Sequence, residues 1–189
     1  MVEAEVYQFY NDCVKTSYSE IEAKGNALPV ELLFEINSAF DHLKRFHLGE
    51  EDELLSCEKA YSHLKRGLLD VFKLKLKYFN NDCSKLLGKK ADLRIIDSGT
   101  FLPRLLEDKK RIVRKATEAR LHEGKKELEA AFDAWYEVSR LINQFEEEYL
   151  DSAKVDWACK QSFFRFSANF LLGVLTGIVS SVIVALFLH

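Results

Sequence analysis

Apolar residues recur every three or four positions through most of the first 150 residues, and this spacing predicts amphipathic helices. The pattern predicts a first helix over residues 3–24, ended by Gly25 and Asn26. A second is predicted over Val30–His47, because Pro29 suits the start of a helix. The apolar stripe of the first comprises Val6, Phe9, Tyr10, Val14 and Ser17. The stripe of the second comprises Leu33, Ile36, Phe40 and Leu43.

A third, longer helix is predicted over residues 53–87. The acidic residues 50–53 precede it, and negative charge is favourable at a helix N-terminus. Its apolar stripe comprises Leu64, Leu68, Phe72, Leu76 and Phe79. A second, mostly basic stripe comprises Arg66, Asp70, Lys73 and Lys77.

Residues 88–100 form the clearest break in the helical pattern. Ser98 is a candidate N-cap for a fourth helix with Pro103 in its first turns. From there to residue 149 the sequence fits either one long rod or two helices that meet near Gly124. The apolar seam of the second half comprises Leu128, Trp135, Val138, Ile142, Phe145 and Tyr149. No run alternates with period two, so the predicted fold is all-α, with the long helices packed as an antiparallel bundle.

The stretch 166–188 contains 23 residues and no charged side chain. As a helix it is about 34 Å long at roughly 1.5 Å per residue, which is enough to cross a hydrocarbon core about 30 Å thick. We therefore predict a cytosolic helical domain over residues 1–160 and a single C-terminal transmembrane helix within residues 161–189.

The flanks of this stretch predict its orientation. Lys154, Lys160 and Arg165 precede it and only His189 follows, so the positive-inside rule keeps the N-terminal part in the cytosol. Residues 1–10 contain acids and no apolar core, so we expect no signal peptide. The predicted location is the cell inner membrane, as a single-pass, tail-anchored protein.

Small or amide side chains fall at intervals of four along the predicted membrane helix. They are Asn169, Gly173, Gly177, Ser181 and Ala185. Small residues let membrane helices approach closely, so we predict a homo-oligomer that makes contact through Gly173, Gly177, Ser181 and Ala185. A pore lined by Asn169, Thr176 and Ser180 is a further hypothesis. In the alternative interpretation, the hydroxyl groups form hydrogen bonds within their own helix and the glycines do not indicate a contact between helices.

The net charge of −3 conceals a segregation of charge along the chain. Residues 59–126 hold 19 basic and 8 acidic residues, a net charge of +11. Residues 1–58 hold 4 basic and 13 acidic residues, and residues 127–189 hold 4 and 9, for net charges of −9 and −5. This basic middle predicts a surface for a phosphate-bearing ligand, such as an oligonucleotide, a nucleotide signal or anionic lipid heads.

Nine basic residues of the third and fourth helices are the candidate ligand contacts. They are Lys65, Arg66, Lys73, Lys77, Arg104, Lys110, Arg111, Arg114 and Lys115. In the alternative interpretation, these charges pair with the acidic helices of the same chain or of another copy. We expect no catalytic site, metal site or cofactor, because no phosphate-binding loop, nucleophile elbow or metal-ligand spacing is present.

A helical cytosolic domain, the stretch VELLFEINSAFDHLKRF at 30–46 and a terminal membrane helix with a small-residue stripe resemble the membrane effectors of bacterial anti-phage systems. The Hailong-type effector is the most similar. The resemblance implies an oligomeric channel that responds to a nucleotide or oligonucleotide made by a partner nucleotidyltransferase and that depolarises the membrane. The rival readings are a non-enzymatic adaptor that docks a partner protein at the membrane, and an enzyme with an unrecognised site.

Overall fold

The structure is a computed structural model that describes residues 1–26, 29–89, 92–150 and 153–187, without the side chains of Arg165 and of residues 185–187. The described residues contain helices and no strand, which confirms the all-α prediction. The α-helices are α1 (Glu3–Phe9), α2 (Thr16–Gly25), α3 (Val30–His47), α4 (Glu53–Gly88), α5 (Phe101–Gly124), α6 (Leu128–Phe145) and α7 (Ala153–Phe187). Two π-helical segments (Tyr10–Lys15, Glu146–Leu150) and a 3₁₀ segment (Leu93–Gly99) lie between them.

The predicted first helix is α1 and α2 joined by a π-helical turn. This wider turn shifts the phase of the helix, because a π turn holds more residues than an α turn. Val6, Val14 and Ile21 are fully buried, so the core-facing positions lie eight and seven residues apart. The predicted positions Val6 and Val14 are confirmed, whereas Ser17 is only half-buried.

Helix α3 has the predicted bounds but a different buried face. Leu32, Ala39 and Leu43 are buried, while the predicted core residues Leu33 and Phe40 are exposed. The prediction was wrong for these two because apolar residues occupy two overlapping helical frames that share Leu43. A close contact selects the observed frame. A Cβ atom built at Gly67 of α4 would lie only 2.8 Å from Leu32 Cδ1.

Helix α4 confirms the prediction closely. It begins at Glu53 and ends at Gly88, one residue beyond the predicted end. All five residues of its predicted apolar stripe are buried. They are Leu64, Leu68, Phe72, Leu76 and Phe79.

The described part of the break between α4 and α5 contains two non-glycine residues in the left-handed region. Asp97 has φ 48° and Ser98 has φ 55°, and α5 begins only at Phe101. The prediction of Ser98 as the N-cap was wrong, because an N-cap residue has extended backbone angles. Pro103 does lie in the first turn of α5, as predicted.

Of the two arrangements open for residues 101–149, the structure has two helices that meet at a turn. Helix α5 ends at Gly124, and Lys126 in the turn has φ 63°. Five of the six predicted seam residues of the second half are buried, and Leu128 is half-buried. The buried five are Trp135, Val138, Ile142, Phe145 and Tyr149.

The chain divides into two compact units, and each is formed by two separate segments. The first unit contains residues 1–82 and 110–144, and the second contains residues 83–109 and 145–189. Both α4 and α5 therefore contribute to each unit. The predicted boundary near residue 160 stays a prediction.

Helix α7 is continuous from Ala153 to Phe187, so the residues before the uncharged stretch lead into it without a break. Within the described part of the chain, one helical stretch is long and apolar enough to cross a membrane, and its most apolar window has no buried residue. Exposed apolar side chains cover every face of α7 from Phe166 to Val184. This is the candidate membrane span.

Candidate functional site

The nine predicted ligand residues divide between the two units. Arg104 belongs to the second unit. The other eight belong to the first unit, four on α4 and four on α5. They are Lys65, Arg66, Lys73, Lys77, Lys110, Arg111, Arg114 and Lys115. Their surroundings differ enough to separate them into three groups.

Lys65 is buried, with only 6% of its surface exposed. Its ammonium group lies 4.7 Å from the ring centre of Tyr61 and 5.0 Å from that of Phe132, so it makes cation–π contacts with both. It also pairs with the exposed carboxylate of Glu129 on α6. This amine already has its partners inside the fold, and its role as a ligand contact stays a prediction.

Arg66 and Lys73 line a groove of about 530 Å³ in the first unit. We call it the α4 groove, because residues at helical spacing along one face of α4 form its longest side. Its charged lining consists of Arg66, Lys73 and Lys126 together with Glu35, Asp70 and Glu123. Its uncharged lining consists of Ser62, Leu69, Leu128 and Ala131.

Lys73 is the most firmly held cation of the α4 groove. Its ammonium nitrogen lies 2.8 Å from Asp70 Oδ1 and 2.9 Å from Glu123 Oε1. Burial acts to lower the pKa of Lys73, but the hydrogen bonds to Asp70 and Glu123 outweigh it, so the pKa is raised. Glu123 is itself positioned by Trp135, whose indole nitrogen donates to Glu123 Oε2 over 3.0 Å. Lys73 therefore stays charged at neutral pH.

The turn between α5 and α6 places Lys126 at the α4 groove. The backbone nitrogen of Glu127 donates to the His122 carbonyl over 3.0 Å, and His122 Nδ1 lies 2.6 Å from Glu127 Oε2. The hydrogen bond with His122 is the main cause of a lowered pKa for the Glu127 carboxyl group. These contacts fix the tight turn in which Lys126 adopts its left-handed conformation.

Arg66 reaches the α4 groove beside a histidine that two charged groups share. His63 Nδ1 lies 2.6 Å from Glu35 Oε2 and 2.9 Å from Arg66 Nη2. A ring nitrogen donates to a carboxylate or accepts from a guanidinium, so it satisfies one of these groups at a time. The His42 ring stacks on the His63 ring with centroids 5.2 Å apart. The buried Nδ1 atom of His42 lies 3.5 Å from Glu51 Oε2.

Helix α5 carries several exposed cations. Within the described residues, Lys110, Arg111 and Arg114 form no ion pair, whereas Lys115 lies 2.9 Å from Glu118. The pKa of Glu137 on α6 is lowered, first by its hydrogen bond with Arg140 and then by the nearby charges of Arg111 and Lys115. Lys77 on α4 is also exposed and has no ion pair in the described part of the chain.

In the second unit, Arg104 pairs with Glu148. One turn further along α5, Asp108 Oδ2 accepts a hydrogen bond of 2.6 Å from the Tyr149 hydroxyl group. Burial and this hydrogen bond raise the pKa of Tyr149 far above its ordinary value. Lys154 at the start of α7 lies 2.8 Å from Asp97 Oδ2. These contacts hold α5 and the start of α7 within the second unit.

The predicted small-residue stripe on α7 is exposed throughout its described part. Cβ atoms built at Gly173 and Gly177 would meet nothing within 4 Å, so both glycines face open space. Thr176 Oγ1 lies 2.9 Å from the carbonyl oxygens of Leu172 and Gly173. Ser181 Oγ similarly donates to the Gly177 carbonyl.

Of the predicted pore-lining residues, Thr176 is thus bonded to its own helix, while Asn169 and Ser180 are exposed without a side-chain hydrogen bond within the described residues. The side chain of Ala185 lies outside the part of the chain that the structure describes. The pore and the oligomer contact therefore stay predictions.

The acidic residues of the α4 groove were not among the predicted ligand residues, because a phosphate-bearing ligand is expected to contact cations. Asp70 offered a signal, since it lies four residues after Arg66 and three before Lys73. Glu35 and Glu123 come from other helices, and nothing in the sequence places them beside α4. The structure thus brings together two predicted residues with one further cation and three acids.

Among the described residues, no three His, Cys, Asp or Glu side chains form a group that could hold a metal ion. The α4 groove combines Arg66, Lys73 and Lys126 with three carboxylates, so its lining offers both hydrogen-bond donors and acceptors. The chain matches no protein-family model, no curated protein and no solved structure.

Proposed function

We propose that the protein is an oligomeric membrane effector of bacterial anti-phage defence, an ion channel or pore anchored by α7. Its cytosolic helices form an antiparallel bundle that binds a nucleotide or oligonucleotide. A partner nucleotidyltransferase supplies this ligand, and the protein itself catalyses no reaction. The chain crosses the inner membrane once, with its N-terminus in the cytosol.

The observation that carries this proposal is the exposure of α7 on every face over the uncharged stretch. A helix that is apolar all round needs lipid or other helices around it. One helix cannot enclose a pore, so conduction requires several copies. Gly173 and Gly177 have open space beside them, where the backbone of a second α7 fits closely.

The exposed cations of α5 support the ligand part of the proposal. Lys110, Arg111 and Arg114 have no acidic partner within the described residues, so a phosphate group would not have to displace one. Arginine in particular binds phosphate through two parallel hydrogen bonds. The ligand gates the channel only if it binds one arrangement of the helices more tightly than another.

Ion flux from liposomes tests the channel. Purified full-length protein is reconstituted with a fluorescent potassium indicator inside the vesicles, and the wild type is compared with Gly177→Leu. A leucine at this position meets nothing within one copy, so any loss of flux reports a contact between copies.

Val179→Leu is the matched control, because Val179 lies on the opposite side of α7 at helical spacing. We expect flux from the wild type and the control and at least a tenfold reduction for Gly177→Leu. Equal flux from all three proteins, or flux from none of them both with and without added nucleotide, contradicts the proposal.

A second candidate function is a non-enzymatic adaptor that docks a partner protein at the membrane. The first turns of α3 favour it, because Val30, Leu33 and Phe34 are all exposed there, Phe34 at 69%. Neighbouring exposed apolar residues mark protein-interaction surfaces. An adaptor would leave vesicles sealed and would lose its partner on Phe34→Asp.

A further inference from the structure

The lining of the α4 groove carries equal numbers of both charges. Arg66, Lys73 and Lys126 are balanced by three carboxylates. A surface that binds only the phosphates of a strand uses cations alone, because each carboxylate there would repel the ligand. The α4 groove therefore suits a ligand that offers both an anion and hydrogen-bond donors.

The cations of the α4 groove retain donors for an anion. Lys73 has three N–H groups, and Asp70 and Glu123 occupy two of them. Arg66 has five N–H groups. Its Nη2 atom lies 2.9 Å from His63 Nδ1, and its Nε atom lies 3.8 Å from Glu35 Oε2. Lys126 forms no ion pair within the described residues. Two elements, α4 and the turn between α5 and α6, thus contribute cations to the lining of one groove.

The carboxylates retain acceptors in the same way. The contacts of Glu35 use its Oε2 atom and those of Asp70 use its Oδ1 atom, which leaves Glu35 Oε1 and Asp70 Oδ2 available. Such an oxygen accepts from an N–H group and repels a carbonyl oxygen. The half-buried Leu128 adds apolar surface to the lining, while Leu69 is almost fully buried beneath it.

We propose that the α4 groove binds a nucleotide whose base carries an exocyclic amino group. Arg66, Lys73 and Lys126 bind the phosphate, and Asp70 and Glu35 accept hydrogen bonds from the amino group. The volume of about 530 Å³ lies within the range of small-molecule sites, which is about 300–1,000 Å³. This inference rests on the proposed function. It adds a groove for one nucleotide, and the exposed cations Lys110, Arg111 and Arg114 of α5, which do not line this groove, stay the proposed contacts for further phosphates.

Pairs of nucleotides that differ at the exocyclic amino group and at the ring nitrogen beside it, which gains a hydrogen, test the base. Isothermal titration calorimetry of the full-length protein in nanodiscs compares CMP with UMP and AMP with IMP, in which a carbonyl replaces the amine. We expect at least tenfold weaker binding of UMP and IMP, because an acceptor then faces Asp70 or Glu35. Equal affinities within both pairs, or no binding of any nucleotide, overturn the proposal.

Variants assign the two ends of the ligand. Lys126→Ala should weaken the binding of CMP and of UMP by the same factor. Asp70→Asn should instead reduce the ratio of the CMP affinity to the UMP affinity. Lys125→Ala is the control, because Lys125 is the adjacent lysine of the same turn and does not line the α4 groove. If Lys125→Ala and Lys126→Ala weaken CMP equally, the α4 groove is not the site.

The source of the nucleotide is tested with a 5′-phosphorylated cytidine trinucleotide. Tighter binding than CMP identifies the end of an oligonucleotide, and weaker binding identifies a free nucleotide. Flux that remains normal while no nucleotide binds would overturn this inference and the ligand part of the proposed function, and would leave the channel. Normal CMP binding with no flux would overturn the effector and leave the α4 groove as a binding site.

Discussion

Gly67 of α4 lies in close contact with α3. A Cβ atom there would lie 2.8 Å from Leu32 Cδ1, 3.1 Å from Glu35 Cβ and 3.5 Å from Leu32 Cα. The last of these is an ordinary van der Waals distance, so the overlap lies with the side chain of the buried Leu32 and with Glu35 Cβ. Glu35 lines the α4 groove, so the packing at Gly67 also fixes one of its walls.

We therefore expect Gly67→Ala to destabilise the protein. Overpacking costs about 1–3 kcal/mol, whereas replacing glycine by alanine inside a helix returns at most about 1 kcal/mol. Gly124→Ala is the control, since a Cβ atom there meets nothing within 4 Å. Urea unfolding in detergent, followed by Trp135 fluorescence in a Trp157→Phe background, measures both. Equal midpoints for the two variants would show that α3 moves away freely.

The sequence alone does not predict which side chains contact each lysine or arginine. Arg66 and Lys65 are neighbours in the third helix, yet one is exposed at a groove and the other is buried between two aromatic rings. Both belong to one basic run, and helical spacing alone does not fix how wide the buried face is. The width depends on the helices packed against α4, which the linear pattern does not contain.

At the scale of elements, the sequence predicted most helices well. Apolar stripes in α4 and α6 have a single frame, and both were placed correctly. The failures occurred where two frames overlap, as in α3, or where local geometry departs from the α-helix. The π turn after α1 and the left-handed Asp97 and Ser98 are such places, and no residue pattern in the chain marked them.

The frame of α3 can be tested with two adjacent leucines. Leu32 is 1% exposed and Leu33 is 47% exposed. Leu32→Ala should lose about 2–5 kcal/mol of unfolding free energy, the usual cost of truncating a buried leucine. Leu33→Ala should stay within about 0.5 kcal/mol of the wild type, as surface substitutions do. Urea unfolding measures both, and the reverse order would restore the frame predicted from the sequence.

At the scale of the molecule, the basic middle contains both paired and unpaired cations, and its role as a ligand surface stays a prediction. Lys65, Arg66, Lys73 and Arg104 pair with carboxylates, as the charge-pairing alternative expects. On α5, Lys110, Arg111 and Arg114 have no such partner within the described residues. The sequence could not divide these groups, because the division follows from which helices face one another.

The proposed function requires α7 to lie in a bilayer, and its energy there can be estimated. Leucine, isoleucine, phenylalanine and valine each favour insertion by about 0.3–0.6 kcal/mol, and an arginine near the centre opposes it by about 2.5–3.5 kcal/mol. The uncharged stretch contains enough such residues to tolerate one arginine. Two arginines near its centre should cancel the whole preference.

We therefore expect the double variant Leu175→Arg/Val179→Arg to leave the membrane. Both residues are exposed in the middle of the uncharged stretch and lie away from the small-residue stripe. Flotation of membranes in a sucrose gradient measures the loss, because aggregated protein sinks while inserted protein rises with lipid. The control variant Gln161→Arg/Phe164→Arg adds the same charges beside Lys160, where the positive-inside rule favours them, and should float like the wild type. If both variants float equally, α7 does not cross the bilayer, and an interfacial or peripheral attachment must hold the chain to the lipid.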